Sequence, residues 1–253
     1  MPTSLPDWDR RFYSQAGGRP YLFYVAFGKA EGPFTVSASK YRCAGLPPGL
    51  EVMGYGPDSH PEQVERFREG YLWNELKAED AGLAKQIAAE KSCLALQADL
   101  EDSPNLNYFR DTVGFLTYLL DHGFCGIYDP FMFRYWSRKR WRSEAFEPAG
   151  PAPRNHVLTL YDGDGEGTEW FHTRGLRKFG RPEISVRHTL AKYRDGVMDL
   201  IDRLIEFQAF GGIIEEDKEI RLGALPAGMR CHRRGDLEDP EFNNVHVEVE
   251  WPG

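Results

Sequence analysis

A strand–helix–strand pattern in the middle of the chain constrains its fold most strongly. Residues 93–98 (CLALQA) form a short apolar run that is typical of a buried strand. Ser103 and Pro104 then suit the N-cap and the first position of a helix, and Gly123 suits its left-handed end. Between them, apolar side chains recur at spacings of three and four, namely Leu106, Phe109, Val113, Leu116 and Leu120. Residues 124–128 (FCGIY) follow at once and predict the second strand.

Further elements are predicted along the whole chain. Apolar runs or alternating patterns predict strands at 21–27, 156–161, 183–187 and 245–251. One-sided apolar spacing predicts helices at 62–80 and 189–210, and we also expect a short helix at 137–145. Because strands and helices mix irregularly, we predict an α+β fold with a largely antiparallel sheet and helices packed on one side. We predict one domain spanning residues 1–253, with the Pro-rich spacer 148–153 as the place for a minor division.

The composition excludes several classes of protein. Of the 253 residues, 41% are hydrophobic and 28% are charged, and the formal net charge is −8. These values are typical of a globular protein with a sizeable core and not of a disordered or collagen-like chain. Charged side chains interrupt the longest helical candidate, 189–210, so we expect no membrane span. Residues 1–18 lack the apolar run of a signal peptide, and the cytoplasm is the expected compartment.

The four cysteines, Cys43, Cys93, Cys125 and Cys231, lie far apart in the sequence. None of them forms a Cys-x-x-Cys pair. Such separation is typical of buried thiols in a reducing compartment, and it lacks the clustered spacing of a zinc site. We therefore expect no metal and no cofactor.

The acidic charge balance argues against a nucleic-acid binder. One basic run, at 134–142, carries four arginines and Lys139 interleaved with aromatic side chains. Runs of this kind bind nucleic acid in some proteins through phosphate contact and base stacking. Trp136 and Trp141 are explained more simply as packing anchors, so we do not expect nucleic acid as a partner.

Glycine alternates with acidic residues at 162–167 (DGDGEG). The segment resembles the start of an EF-hand calcium loop, in which the twelfth position is acidic. Here the twelfth position is Thr173, so the match fails, and the three glycines predict a β-turn. A metal or substrate site of another kind is the alternative interpretation.

A distinctive segment, HTRGLRKFGRPE, begins at His172. A functional interpretation makes His172 a general base paired with Asp162 or Asp164, and makes Arg174 and Arg177 clamps for an anion. The alternative is a structural crossover between strands whose charges are solvated. No serine or cysteine has the sequence setting of a nucleophile, and the common nucleotide-, phosphate- and zinc-binding motifs are missing from the sequence.

The predicted helix 62–80 separates an apolar face from an acidic face. The apolar face carries Val64, Phe67 and Tyr71, and the acidic face carries Glu62, Glu65, Glu69 and Trp73. A tryptophan on a charged face favours contact with a partner protein, because Trp is frequent at interface hot spots and negative charge attracts basic partners. The alternative is that the preceding loop or the N-terminal segment covers Trp73.

The HTRGLRKFGRPE segment also carries a resemblance. It matches the pattern His-Thr-x-Gly-(Leu/Met)-x-Lys-Phe-Gly-x-Pro-Glu, and the stretches 126–130 (GIYDP) and 136–137 (WS) add to the likeness. In these features, over residues 93–253, the chain is similar to bacterial domain-of-unknown-function families. Families of this kind often sit beside secreted toxins, some as immunity proteins. The resemblance therefore implies a toxin-immunity protein and assigns no catalytic residue.

Three functions of different classes follow from these observations. The first is an interaction protein, a bacterial immunity protein that binds a cognate toxin with a basic surface and covers its active site or blocks its assembly. The acidic face of helix 62–80 is its expected contact. The second is a hydrolase-type enzyme that uses His172 with Asp162 or Asp164. The third is a regulatory module with an apolar pocket for a small ligand. We expect the first.

Overall fold

In the computed structural model, the strands form two mostly antiparallel sheets, and each sheet belongs to its own unit of the chain. The structure describes residues 5–43, 45–165, 167–223 and 225–252. The α+β prediction and the largely antiparallel pairing are confirmed, with two sheets where the sequence predicted one.

Each of the two units is assembled from three separate stretches of the chain. Unit 1 consists of Met1–Asp9, Tyr21–Leu100 and Asn105–Ala152, and unit 2 of Arg10–Pro20, Glu101–Pro104 and Pro153–Gly253. The long C-terminal part of unit 2 therefore starts inside the predicted spacer 148–153. The interpretation as one domain stays a prediction.

Unit 1 is built on a five-stranded antiparallel sheet. Its elements are β1 (Tyr21–Phe27), α1 (Ala38–Tyr41), β2 (Glu51–Tyr55), α2 (Pro61–Arg66), α3 (Gly70–Glu79), α4 (Ala81–Ala89), β3 (Cys93–Asp99), α5 (Asn107–Asp121), β4 (Gly126–Asp129), β5 (Arg134–Ser137) and α6 (Arg138–Arg140), which continues as the π-helical turn Trp141–Phe146. The strand order is β2-β3-β1-β4-β5. β3 and β4 flank β1 and are joined through α5, which confirms the predicted strand–helix–strand unit and places a third strand inside it.

The start of α5 differs from the prediction. The helix begins at Asn107, and its N-cap, Leu106, makes no side-chain capping bond. Ser103 and Pro104 lie in unit 2 instead, where the carbonyl of Ser103 accepts a bond from the Arg10 guanidinium and that of Pro104 accepts one from the Arg10 backbone N–H. The carbonyls of Ser103 and Pro104, which would accept bonds within the helix if it began at Ser103, thus bind an arginine that is distant in the sequence.

Unit 2 is built on a six-stranded sheet and one long helix. Its elements are β6 (Leu158–Gly163), β7 (Thr168–Arg174), β8 (Glu183–Leu190), α7 (Arg194–Ala209), β9 (Lys218–Ile220), β10 (Met229–Arg234) and β11 (His246–Glu250), with 3₁₀ turns at Pro153–His156, Leu176–Phe179 and Ala191–Tyr193. The strand order is β6-β7-β8-β11-β10-β9, and β8 and β11 are parallel. α7 packs against β8, and the side chains of Phe171, Ile184 and Val186 are fully buried.

Three of the four cysteines are buried, as the sequence predicted. Cys43, Cys93 and Cys231 are buried, Cys125 is half-buried, and all four are free thiols. Burial raises the pKa of each thiol, to about 12 for Cys125 and about 11 for the others, so they remain protonated at neutral pH. None of the described helices has the length and apolar character that crossing a membrane requires.

Candidate functional site

His172 lies in the middle of an aromatic cluster on β7. Its ring stacks on Trp170 with centroids 4.0 Å apart and meets the edge of Phe242 at 5.9 Å. The residue is 9% exposed, and its Nδ1 has no hydrogen-bond partner among the described residues. Burial lowers the pKa of His172 to about 4, with a further lowering by the charges of Arg174 and Arg187. At neutral pH the imidazole is therefore uncharged.

His172 makes no hydrogen bond or ion pair with either predicted acid among the described residues, although the charge of Asp162 acts to raise the pKa of His172 against the larger lowering by burial. Asp162 accepts a bond from the backbone N–H of Gly163 at 2.7 Å. Asp164 accepts one from the backbone N–H of His188 at 2.9 Å and pairs with Arg187 at 3.4 Å. Within the described residues no hydrogen bond or ion pair connects His172 to these carboxylates. The hydrolase interpretation is thus left without a carboxylate that orients its base.

The glycine-rich cluster is a hairpin turn, as predicted. It joins β6 to β7, and the backbone N–H groups of Asp164 and Thr168 donate to the carbonyls of Thr168 and Gly165, at 2.9 and 2.8 Å. Gly165 has a φ of +81°, a conformation that glycine adopts without strain. Glu166 lies outside the described residues. In the described part of the chain no group of three or more His, Cys, Asp and Glu side chains is placed to hold a metal ion.

The HTRGLRKFGRPE segment is a crossover from β7 to β8, but its charges are not solvated as predicted. Lys178, Arg181 and Glu183 are each at most 1% exposed. The Glu183 carboxylate accepts bonds from Thr173 Oγ1 at 2.8 Å and from the backbone N–H groups of Gly175 and Arg177 at 2.9 and 3.3 Å. These donors replace the water that a buried carboxylate loses, and Glu183 can therefore be buried within the crossover.

Gly175 explains part of the same motif. Its φ is +121°, and a Cβ at this position would lie 2.6 Å from the backbone oxygen of His156. Any larger residue would push these two chain segments apart. The Thr, Gly and Glu positions of the motif therefore shape the turn, and this role needs no ligand.

Arg174 and Arg177 both contact the segment before β11. The Arg174 guanidinium lies over the ring of Phe242 at 5.7 Å from its centroid, and Arg177 Nη1 donates to the carbonyl of Asn243 at 2.8 Å. Burial lowers the pKa of Arg174. The two predicted anion clamps thus have partners within the protein.

The predicted helix 62–80 is interrupted, and this reverses the positions of two aromatic residues. α2 ends at Arg66, and α3 begins at Gly70 with a φ of +81°, which a continuous helix does not allow. Trp73 turns toward the core of unit 1 and meets Tyr135 edge-on at 5.7 Å. Tyr71, predicted on the apolar face, is 72% exposed.

Trp73 is therefore half-buried against the core of unit 1, with Tyr135 of β5 packed against its ring, and does not share the exposure of the three glutamates. Its role in partner contact stays a prediction. Sequence reasoning missed Tyr71 as the exposed aromatic. Gly70 was the available signal, because a glycine within a predicted helix weakens the assignment.

The three predicted carboxylates are exposed on α2 and just before α3. Glu62 pairs with His60 at 3.2 Å, and Glu65 pairs with Arg68 at 3.3 Å. Glu69 has no ion pair within the described residues, and its side chain is free to meet a partner. Negative charge continues along α3, where Glu75 and Glu79 raise the pKa of the Tyr71 hydroxyl. We call these five glutamates, Glu62, Glu65, Glu69, Glu75 and Glu79, together with Tyr71, the acidic surface.

The basic run 134–142 has the two anchors that the sequence predicted. Trp136 and Trp141 are fully buried, and their rings meet edge-on at 5.6 Å. Trp141 Nε1 donates to Thr117 Oγ1 at 2.9 Å. Arg138, Lys139 and Arg140 are exposed, so the run divides into a buried aromatic side and a charged outer side.

Unit 2 also has a small pocket beside α7. Its volume is about 210 Å³, and it is lined by Lys192, Tyr193, Gly196, Asp199, Leu222, Gly223 and Leu225. Pockets for small organic ligands usually measure roughly 300–1,000 Å³ and are mostly apolar. This pocket is smaller and has charged groups in its lining, so it gives little support to the small-ligand interpretation.

Comparisons of the chain with protein-family models, with curated proteins and with solved structures found no match. The resemblance through the HTRGLRKFGRPE segment stays a prediction.

Proposed function

We propose that this chain is an interaction protein, a bacterial immunity protein that acts in the cytoplasm. It binds a cognate toxin with a basic surface and neutralises it by covering the active site or blocking assembly. The observation that carries the proposal is the acidic surface, where the 72% exposed Tyr71 lies among glutamates.

The chemistry of this surface suits a basic protein partner. Tyrosine is enriched at interface hot spots because it offers a large rigid ring and a polar hydroxyl. The surrounding carboxylates attract a basic partner over a distance and raise the rate of association. Glu62 and Glu65 already pair with His60 and Arg68, whereas Glu69 has no ion pair within the described residues, so a partner's cation reaches Glu69 without displacing another charge.

The direct test uses the product of the gene adjacent to the one that encodes this chain. That product is produced in bacterial cells with and without the chain, and the purified proteins are mixed to measure association. We expect restored growth and a stable complex. If the adjacent product is toxic, and the chain neither binds it nor protects the cells, the proposal is wrong.

A charge-reversal variant assigns the contact. Glu62→Lys, Glu65→Lys and Glu69→Lys together should lower the association rate at least about tenfold at low salt. The matched control is Glu215→Lys, Asp217→Lys and Glu238→Lys in unit 2, where two of the three carboxylates are also ion-paired and all are exposed. Equal effects of the two variants would show that net charge, and not this surface, governs association.

A further inference from the structure

One nearly buried carboxylate in unit 1 holds three cationic side chains. Asp121, the last residue of α5, has a side chain that is 7% exposed. Its Oδ1 accepts bonds from Nη2 of Arg138 at 2.8 Å and from Nη2 of Arg142 at 2.9 Å. Its Oδ2 accepts bonds from Arg142 Nη2 at 3.0 Å and from the Tyr41 hydroxyl at 3.2 Å, and lies 3.3 Å from Lys40 Nζ. We call these residues the Asp121 cluster.

The carboxylate of Asp121 cannot accept any further hydrogen bond. Its two oxygens provide about four lone-pair sites, and the contacts of the cluster already occupy them. Burial raises the pKa of Asp121, but the hydrogen bonds from Arg138, Arg142 and Lys40 outweigh burial and hold the pKa well below its ordinary value. Asp121 is therefore ionised at neutral pH and carries one negative charge.

The cations of the cluster are in excess. Three positive side chains meet one negative charge, so two positive charges are left without a counter-ion within the described residues. Each guanidinium has five N–H donors, and Arg138 and Arg142 each use a single nitrogen on Asp121. Neither guanidinium makes another hydrogen bond in the described part of the chain. The side chains of Arg138, Arg142 and Lys40 remain 56%, 38% and 59% exposed, so the unused donors are accessible to solvent.

We propose that the Asp121 cluster binds a phosphate dianion, either inorganic phosphate or a small phosphate monoester. Asp121 lies on the protein side and holds the three cations together, which removes much of the entropy cost of collecting them around a ligand. Their free donors suit phosphate oxygens, because planar guanidinium groups bind phosphate through paired charge-assisted bonds. A dianion also matches the two uncompensated charges. This proposal is independent of the acidic surface.

A small anion fits the observations better than a polymer does. The three cations converge on one carboxylate and do not form a stripe along which a phosphate backbone could run. Lys139, the neighbour of Arg138 in sequence, is exposed and makes no contact with Asp121. The cluster therefore singles out three side chains from a longer basic segment, and this selection gives the experiment its control.

The experiment is a titration of the whole chain with inorganic phosphate and with glycerol 3-phosphate, at constant ionic strength set by chloride. We expect saturable binding of at least one of the two ligands, and the tighter ligand identifies the source of the phosphate. Arg138→Gln and Lys40→Gln should each weaken binding about tenfold, as expected for loss of a charge-assisted bond. Lys139→Gln removes the same charge one residue away and should weaken it less than twofold.

Two measurements keep the result decisive. The melting temperature of each variant is recorded, and Lys40→Gln should stay within a few degrees of the parent chain because Arg138, Arg142 and Tyr41 still satisfy Asp121. A single-stranded oligonucleotide without terminal phosphates is the competitor. The proposal is overturned if phosphate binding does not saturate, if Lys139→Gln weakens it as much as Arg138→Gln, or if the oligonucleotide displaces phosphate at an equal concentration of phosphate groups.

Discussion

Nη1 of Arg181 lies 3.2 Å from Oδ2 of Asp102, although 79 residues separate them in the sequence. The other oxygen of Asp102 accepts a bond from Arg10 Nη1, and both arginine side chains are fully buried. The remaining donors reach main-chain oxygens: Arg10 binds the carbonyls of Phe179 and Ala209, and Arg181 binds those of Gly211 and Gly212. One carboxylate thus joins the short N-terminal and central segments of unit 2 to its C-terminal part.

The first prediction concerns this carboxylate. Asp102→Asn should lower the free energy of unfolding by about 3 kcal/mol, because it leaves two buried guanidinium groups without a counter-charge. Denaturant unfolding measures the change. The control is Glu101→Gln, the neighbouring residue, whose 85% exposed side chain pairs with Arg19 at the surface and should cost less than about 0.5 kcal/mol. Similar costs for the two variants would contradict the structural role of Asp102.

The second prediction is a loss of stability in acid that depends on His172. Its pKa in the folded chain is about 4, below the ordinary 6.5. The neutral buried ring therefore contributes stability that is complete above pH 6.5 and is lost as the pH falls toward 4. The contribution amounts to about 3 kcal/mol at most. His172→Phe keeps an aromatic ring against Trp170 and should flatten the pH dependence of unfolding over this range.

A second histidine provides the control for that measurement. His188 is 73% exposed and has a φ of +58°, which asparagine tolerates. We expect a larger change in the slope of stability against pH for His172→Phe than for His188→Asn, because only the His172 ring is buried. An unchanged slope in His172→Phe would show that other groups, such as His246, dominate acid unfolding.

The third prediction separates the two aromatic residues of α3. Trp73→Ala should lower the free energy of unfolding by about 3 kcal/mol, because Trp73 packs against Tyr135 and the core of unit 1. Tyr71→Ala should change it by less than about 0.5 kcal/mol, because the side chain is exposed. In a binding assay with the proposed toxin, Tyr71→Ala should have the larger specific effect. A stability loss in Tyr71→Ala equal to that in Trp73→Ala would contradict the observed break between α2 and α3.

The fourth prediction concerns the buried Glu183. Burial raises its pKa, against the opposing effect of its hydrogen-bond donors, beginning with Thr173. A raised pKa in the folded chain means that stability falls as the pH rises from about 4.3 through the folded-state pKa. Glu183→Gln should abolish this fall of stability with pH. It should also lower the free energy of unfolding by about 2 kcal/mol, because an amide presents N–H groups to the donors of Thr173 and Gly175.

The difference between parent chain and variant isolates the effect of Glu183 from that of the histidines. The control is Glu241→Gln, whose side chain is 55% exposed and pairs with Arg187. It should leave both the stability and its pH dependence nearly unchanged. A Glu183→Gln variant as stable as the parent at every pH would contradict the hydrogen-bonded arrangement around this carboxylate.

Elements with strong local signals were predictable, but the start of the helix α5 was not. The apolar run at 93–98, the glycine-rich turn at 162–167 and the alternating segment at 245–251 each appear in the structure within two residues of the prediction. Period-two alternation and positive-φ glycines act within a few residues, so the sequence alone reveals them. The predicted start of α5 was wrong because Arg10, nearly one hundred residues away, binds the backbone carbonyl of Ser103.

Some residues of the candidate site could likewise be predicted from the sequence, and others could not. The exposed glutamates of α2 could be predicted, since charge on the outer side of an amphipathic helix is a local property. The exposure of Tyr71 and the burial of Trp73 could not be predicted. A new helix starts at Gly70, and the packing of Trp73 against Tyr135 decides which of its faces meets the core. The pairing of Asp121 with Arg138, Arg142 and Lys40 was also hidden, as these side chains come from separate elements.

The amino-acid sequence by itself determined that this protein is an acidic α+β chain with a helix between two strands, a glycine turn and a half-buried C-terminal strand. These properties follow from periodicity and backbone preference over short distances. The tertiary structure alone decided that the strands divide into two sheets, that Arg10, Lys178, Arg181 and Glu183 are buried, and that the side chain of Asp102 is only 10% exposed. A charged side chain can leave water only where other groups supply its counter-charge or hydrogen bonds, and for Arg10 and Arg181 those groups come from segments far away in the sequence, which no local pattern records.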